Sequence, residues 1–287
     1  MQTSSWATPH ASRLAAAVAA ALVAVPFAAA AQSSDPTNLD RIQVRGEKSR
    51  SIAVDDVAQA KRRLAQRAGA TALIDAESYR DRRNATLADA LGYAPGVFVQ
   101  PRFGAEEARL SIRGSGLQRN FHGRGIELLQ DGSPLNLADG GFDFQAVEPL
   151  AARHIEVYRG ANALEYGAAT LGGAIDFVSP TGYDAPAAML RIEGGSDAYL
   201  RGQAAFAGHG ERADAYLSVS GFNQDGFRRH ARQETYRLFG NAGYRFGEAL
   251  EGRAYFTHVD TNSELPGNLT LAQAERDPRA ANASTAT

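Results

Sequence analysis

The second half of the chain alternates between apolar and polar side chains over five stretches of about ten residues each. Leu190 and Ile192, for example, alternate with Arg191 and Glu193. The other stretches lie at 200–206, 214–220, 237–246 and 251–257. A period of two predicts β-strands with one apolar and one polar face. Short and long connections alternate between them, as in transmembrane barrels. A soluble sandwich with one solvated sheet face is the alternative.

The preceding part of the chain mixes helical and strand patterns. Thr86 and Asp89 have the spacing of a capping box, and Pro95-Gly96 predicts the end of that helix. Asp131-Gly132 predicts a tight turn, and Pro149 fits a first helical position. Short apolar runs predict strands at 97–99, 110–112, 126–130, 155–158 and 174–178. We therefore predict an α+β domain with a small mixed sheet.

The N-terminus has the pattern of an exported protein. Arg13 precedes an apolar run from Leu14 to Ala31 that ends in small residues, which is typical of a signal peptide cleaved after Ala31. A membrane anchor is the alternative. Polar residues follow and predict a flexible arm with one extended segment. The expected divisions are a signal peptide at 1–31, the arm at 32–50, the α+β domain at 51–182 and the strands at 183–287.

Composition excludes several classes of site. The 287 residues include no cysteine, so disulfides, thiolate metal sites and cysteine nucleophiles are excluded. The six histidines lack metal-ligand spacing, and we expect no metal site and no cofactor. A net charge of -2 argues against a nucleic-acid partner. Phosphate-loop and nucleophile motifs are missing from the sequence, so we do not expect an enzyme.

Several motifs in a fixed order resemble a known family. The stretches TLADALGYAPGVFVQ, LSIRGSG, GIELLQDGSPLN and IEVYRGANALEYGAATLGGAIDFVSP resemble the plug domain of TonB-dependent outer-membrane receptors, most of all the ferric-dicitrate/siderophore branch. The resemblance implies an α+β plug followed by transmembrane strands. Family barrels have many more strands than the five predicted here, so we expect an incomplete transmembrane β-barrel and a truncated chain.

The resemblance also implies partner contacts in the arm and the plug. The segment Asp40, Arg41, Ile42, Gln43, Val44 and Arg45 is similar to a TonB box, which binds the periplasmic protein TonB as an added strand. An ordinary linker is the alternative. Arg113 and Arg159 look like the plug arginines that pair with barrel glutamates in the family. The alternative is that each caps its own strand end.

The implied ligand is a ferric siderophore or ferric citrate. Basic and polar residues of two predicted loops form the expected ligand site: Arg119, Asn120, His122, Arg124, Arg228, Arg229, His230 and Arg232. A cationic surface would concentrate anionic iron chelates. General loop solubility or lipopolysaccharide contact is the alternative.

The resemblance therefore predicts a receptor that imports an iron chelate across the outer membrane, in contact with its lipid. The alternative function is a periplasmic protein, reduced to the plug, that binds TonB without transport.

Overall fold

The structure, a computed structural model, describes only part of the chain. The described residues are 51–67, 69–82, 86–92, 94–101, 108–116, 123–168 and 170–282. The predicted signal peptide, the arm with Asp40–Arg45, and the loop residues Arg119, Asn120 and His122 lie outside them. The division of the chain at 182/183 stays a prediction.

A five-stranded sheet forms the centre of the α+β domain. Its strands are β1 (Thr71–Asp75), β4 (Ile126–Gln130), β5 (Ser133–Pro134), β6 (His154–Arg159) and β7 (Gly173–Val178), in the order β1-β6-β7-β4-β5. The β4–β7 pair is parallel, whereas the other pairs are antiparallel. The predicted mixed sheet is therefore confirmed, although β1 and β5 were not predicted.

Two helices and a hairpin accompany this sheet. They are α1 (Val57–Ala65), α2 (Leu87–Leu91), β2 (Val97–Pro101) and β3 (Ala108–Ile112), of which α1 was not predicted. The capping box at α2 is confirmed, because the Asp89 carboxylate accepts the Thr86 backbone N–H at 2.8 Å. Helix α1 is bound to the sheet by Arg63, whose Nη2 lies 2.6 Å from Glu156 Oε1.

Strands β6 and β7 are buried on both faces and form the core. Ile155 and Val157 of β6 pack in one apolar cluster with Ile175 of β7. Tyr158 and Ala174 pack on the opposite face in a second cluster with α1. Both faces of these strands are covered, and the buried polar side chains among them, such as Glu156 and Asp176, therefore make hydrogen bonds.

The five predicted amphipathic strands are confirmed as a single antiparallel sheet, named here the wall sheet. Its strands are β8 (Ala188–Gly194), β9 (Leu200–His209), β10 (Ala213–Gln224), β11 (Gln233–Arg245) and β12 (Glu251–Ser263). They pair in sequence order, and a short helix, α3 (Leu271–Arg276), follows. Within the described residues the sheet is not closed, since β8 and β12 are its edges.

The wall sheet buries its polar face and exposes its apolar face. Side chains turned towards the α+β domain include buried Arg201, Gln203, Ser218, Ser220, Arg237 and Asn241. On the other face Ile192 is 64% exposed and Phe256 is 56% exposed. Soluble sheets have the reverse arrangement, with the apolar face inside. The pattern is that of a strand whose outer face contacts lipid. No helix in the described part of the chain has the length and apolarity needed to cross a membrane.

Gly172-Gly173 allows three segments to meet at the start of β7. A Cβ at Gly173, where φ is +151°, would overlap the carbonyl oxygen of Tyr158. A Cβ at Gly172 would lie 2.6 Å from the Cβ of Ser115. The glycine-rich stretch therefore serves close packing of backbone against backbone.

We expect Gly173→Ala to destabilise the α+β domain by several kcal/mol, because strain at positive φ is combined with overlap of a backbone oxygen. Gly167→Ala is the matched control, since φ there is +121° and nothing lies within 4 Å of its Cβ position. Urea unfolding followed by circular dichroism measures both. Equal losses in the two variants would contradict the packing role.

Candidate functional site

The segment between β5 and β6 belongs to the α+β domain and contacts the wall sheet. It contains two short 3₁₀ turns, Phe144–Ala146 and Pro149–Ala151, and Glu148 precedes the second. Pro149 is confirmed at the first helical position. The Glu148 carboxylate accepts the Leu150 N–H at 3.1 Å. A local cap thus orients this side chain towards the wall.

Glu148 meets two arginines of the wall sheet in a buried ion cluster. Arg201 of β9 donates to its Oε1, and Arg237 Nη1 of β11 lies 3.5 Å from its Oε2. Ser220 of β10 donates to Oε2 at 2.8 Å. The three charged side chains are no more than 5% exposed. Three neighbouring wall strands therefore hold one carboxylate.

Backbone carbonyls extend the same contact. Arg237 Nε donates to Gln145 O at 2.6 Å, and Gln203 Nε2 donates to Leu150 O at 3.2 Å. Burial alone would raise the pKa of Glu148, but the charges of Arg201 and Arg237 outweigh it and lower that pKa. Glu148 is thus held as a carboxylate between the two parts of the molecule.

Two further carboxyl groups lie near the β4–β5 turn. Asp131 accepts from the backbone N–H and the hydroxyl of Ser179, both at 2.8 Å. Asp176 of β7 accepts the Gly132 N–H at 3.1 Å. Burial raises the pKa of Asp176 to about 7, and the nearby Asp131 charge adds to the rise. Burial also raises the pKa of Asp131 to about 6.

Comparison with known proteins finds a family that the α+β domain resembles. Residues 63–174 match the family model of the TonB-dependent receptor plug domain. The α+β domain is therefore similar in sequence to this family, and it is named here the plug.

Individual proteins resemble a larger part of the chain, one in sequence and two in fold. The chain is 24% identical over 212 residues to the vitamin B12 transporter BtuB of Vibrio vulnificus (strain CMCP6), covering 70% of this chain and 34% of that protein. The ferric-catecholate import receptor Fiu from E. coli K12 gives a TM-score of 0.52 at 21% identity, covering 67% and 27%. The copper transporter OprC gives 0.56 at 15% identity, covering 69% and 31%. The chain therefore spans only 27% to 34% of the length of these proteins.

The two predicted plug arginines lie near each other. Arg159 Nε donates to Ala70 O at 3.0 Å, its Nη2 donates to Thr71 O at 2.9 Å, and its Nη1 donates to Pro95 O. Arg113 is exposed, and its Nη1 lies 2.9 Å from the position of a Cβ at Gly160. The contacts of Arg159 join the end of β6 to neighbouring plug segments. Its pairing with a barrel glutamate, like that of Arg113, stays a prediction.

The described residues of the predicted ligand site make contacts within the protein. Arg228 donates to the carbonyls of Pro266, Gly267 and Ala280 at 2.7 to 3.1 Å. Arg229 pairs with Asp277 at 2.6 Å.

The remaining contacts of this site are longer. His230 Nδ1 lies 3.7 Å from Glu264 Oε2, and the Arg232 backbone N–H donates to the same oxygen at 3.3 Å. Arg124 lies on the plug, 3.9 Å from Asp139. The loop at 225–232 is thus packed on the segment after β12, and its ligand role stays a prediction.

The Glu148 cluster was not among the predicted sites. One signal was available, because Arg201 and Arg237 occupy polar positions in the alternating pattern, where the side chains face away from lipid. Buried positive charges there require a carboxylate partner. The sequence does not show which carboxylate this is.

We expect Glu148→Gln to weaken plug docking by about 3 to 5 kcal/mol, because two buried arginines lose the charge of Glu148. Glu165→Gln is the matched control; Glu165 pairs with Arg67 on the exposed surface, so the loss should stay below about 1 kcal/mol. Hydrogen–deuterium exchange of the peptide at 143–151 measures the effect. Unchanged protection in Glu148→Gln would contradict a docking role.

A second prediction concerns pH. The pKa of Asp176 is raised above its unfolded value, so the folded plug binds the extra proton and its stability falls as pH rises from about 4 to about 7. Asp176→Asn should flatten this fall and leave the variant a few kcal/mol more stable than the wild type at pH 8. Urea unfolding at pH 5 and pH 8 checks the difference, with Asp139→Asn as the control. An unaltered pH dependence in Asp176→Asn would refute it.

Proposed function

We propose that the chain is the N-terminal part of an outer-membrane receptor that imports an iron chelate and is driven by TonB. The observation that carries the proposal is the inverted burial of the wall sheet, whose polar face packs on a plug domain and whose apolar face is exposed. Such a sheet is suited to lipid on one side and a protein-filled lumen on the other. We propose the outer membrane as its location, reached by the signal peptide.

The activity proposed is binding and transport, with no chemical change of the cargo. Its partner at the arm is TonB, which would bind Asp40–Arg45 as an added strand. The arm directly precedes the first described residue, Ser51, and Ser51 already contacts the wall sheet at Glu251. A pull on the arm would therefore act on the plug where it meets the wall.

The cargo proposed is an anionic ferric siderophore or ferric citrate. The loop after β10 places four basic residues at the end of the wall opposite the tight turns: Arg228, Arg229, His230 and Arg232. Because positive charge at an entrance raises the local concentration of anions, it favours ferric chelates over neutral cargo. The relatives differ in cargo by name, including vitamin B12 and copper, and the basic loop is the observation that supports an anionic cargo here.

Uptake by cells that express the full-length receptor gene tests the proposal. Deletion of 40–46 should abolish energised uptake of labelled ferric siderophore or ferric citrate while leaving surface binding intact, because only the TonB contact is lost. Cobalamin is the comparison cargo. Uptake that persists after the deletion, or that occurs for cobalamin alone, would disprove this function.

Charge reversal tests the loop. Arg232→Glu keeps the backbone contact to Glu264 and should weaken binding of an anionic chelate about fivefold. Arg212→Glu is the matched control, since Arg212 is exposed in the tight turn at the opposite end of the wall. Equal affinities of the two variants for the chelate would show that the loop does not belong to the ligand site.

A further inference from the structure

Four residues of the wall sheet form a charge network that is named here the junction: Asp214, Asn241, Glu251 and Arg253. Arg253 binds both carboxylate oxygens of Asp214, at 2.6 and 3.0 Å. It also donates to Asn241 Oδ1 at 2.7 Å and to Glu251 Oε1 at 2.9 Å. The side chains of Asp214, Glu251 and Arg253 are at most 3% exposed. The guanidinium of Arg253 therefore donates hydrogen bonds to three residues on three adjacent strands.

A glycine leaves the space for this network. Gly243 of β11 lies between Asp214 and Arg253 in the sheet register. A Cβ at Gly243 would overlap Arg253 Nη2 and lie 2.5 Å from Asp214 Oδ1. The ion pair thus bridges β10 and β12 directly across β11, which requires glycine at that position.

The junction holds the beginning of the plug. Ser51 donates its hydroxyl to Glu251 Oε1 at 2.7 Å, and the Ile52 N–H donates to Glu251 Oε2 at 2.8 Å. The Ser51 hydroxyl oxygen in turn accepts the N–H groups of Ala53 and Val54 at 3.1 and 3.0 Å. The turn at 51–54 is therefore bound to the wall sheet through the carboxylate of Glu251.

The same junction holds the segment that leaves the plug. The Gly182 N–H donates to Asp214 Oδ2 at 2.8 Å. Asn241 Nδ2 donates to Pro180 O at 2.9 Å and to Ser179 Oγ at 3.1 Å. Ser179 is also bound to Asp131 in the β4–β5 turn. The first and last parts of the plug therefore meet one set of wall side chains.

We propose that the junction couples the two ends of the plug, so that release of Ser51 and Ile52 from Glu251 loosens the hold on Ser179–Gly182. Losing two donors leaves Glu251 dependent on Arg253, which is shared with Asp214 and Asn241. Because a loosened Glu251 no longer fixes the position of Arg253, the contacts of Arg253 with Asp214 and Asn241 weaken as well. In the receptor this inference rests on the proposed function, because force from TonB would enter at Ser51.

Spin labels on the full chain in detergent micelles test the coupling without TonB or cargo. The chain has no cysteine, so single cysteines can be introduced at Ile52 and at Ser133, both exposed in the structure. Ser133 is close to Asp131 and reports on the other end of the network. The variant is Glu251→Gln, and the control is Glu248→Gln, an exposed carboxylate in the adjacent turn.

Glu251→Gln should raise the mobile fraction of the Ile52 label about tenfold, because hydrogen bonds to a charged acceptor are weakened. Coupling predicts that the Ser133 label gains mobility as well, whereas Glu248→Gln changes neither label. An increase at Ile52 alone would overturn the coupling, and no increase at either label would overturn the junction itself.

A milder variant keeps the test informative if Glu251→Gln does not fold. Ser51→Ala removes one donor from the plug and leaves every wall residue in place, so it should move both labels in the same direction to a smaller extent. Movement of neither label would overturn the proposal. Because these measurements need no transport, a negative uptake result leaves them unaffected, and a negative label result leaves the receptor function standing.

Discussion

The buried carboxylate of Glu148 between Arg201 and Arg237 is the interaction on which the two parts of this molecule depend. If the two parts were separated, the plug would expose Glu148 and the wall sheet would expose Arg201 and Arg237. The desolvation of three charged groups is costly, and it is offset only when their geometry and hydrogen bonds are complete. The wall sheet therefore has its polar face inside, because that face is matched to the plug.

Several other contacts of the plug with the wall sheet share one chemistry, in which side chains of the wall sheet bind plug backbone. Arg237 and Gln203 bind the carbonyls of Gln145 and Leu150, while Asn241 binds that of Pro180. Polar contacts of this kind can be exchanged for water one at a time, unlike an apolar core. An interface built this way can be firm at rest and still permit movement of the plug against the wall sheet.

The sequence predicted the wall strands because side-chain alternation is a local property of a strand. The predicted strands were too short. Strand β11 begins at Gln233 and β12 continues to Ser263, because pairing with neighbouring strands extends both. Helix α1 was missed although Asp56 and Gln59 form a capping box. The Glu148 cluster could not be predicted, since its arginines lie 53 and 89 positions further along the chain and only the tertiary fold brings them together.

The unequal lengths of the edge strands have a consequence for assembly. Strand β8 has 7 residues, whereas β12 has 13, so the sheet is stepped. The outer backbone groups of β12 have no strand beside them in the described part of the chain. Hydrocarbon offers no hydrogen bonds to such groups. Any form of this sheet that enters a bilayer must first cover that long border with protein, and β12 is the strand on which further pairing would be templated.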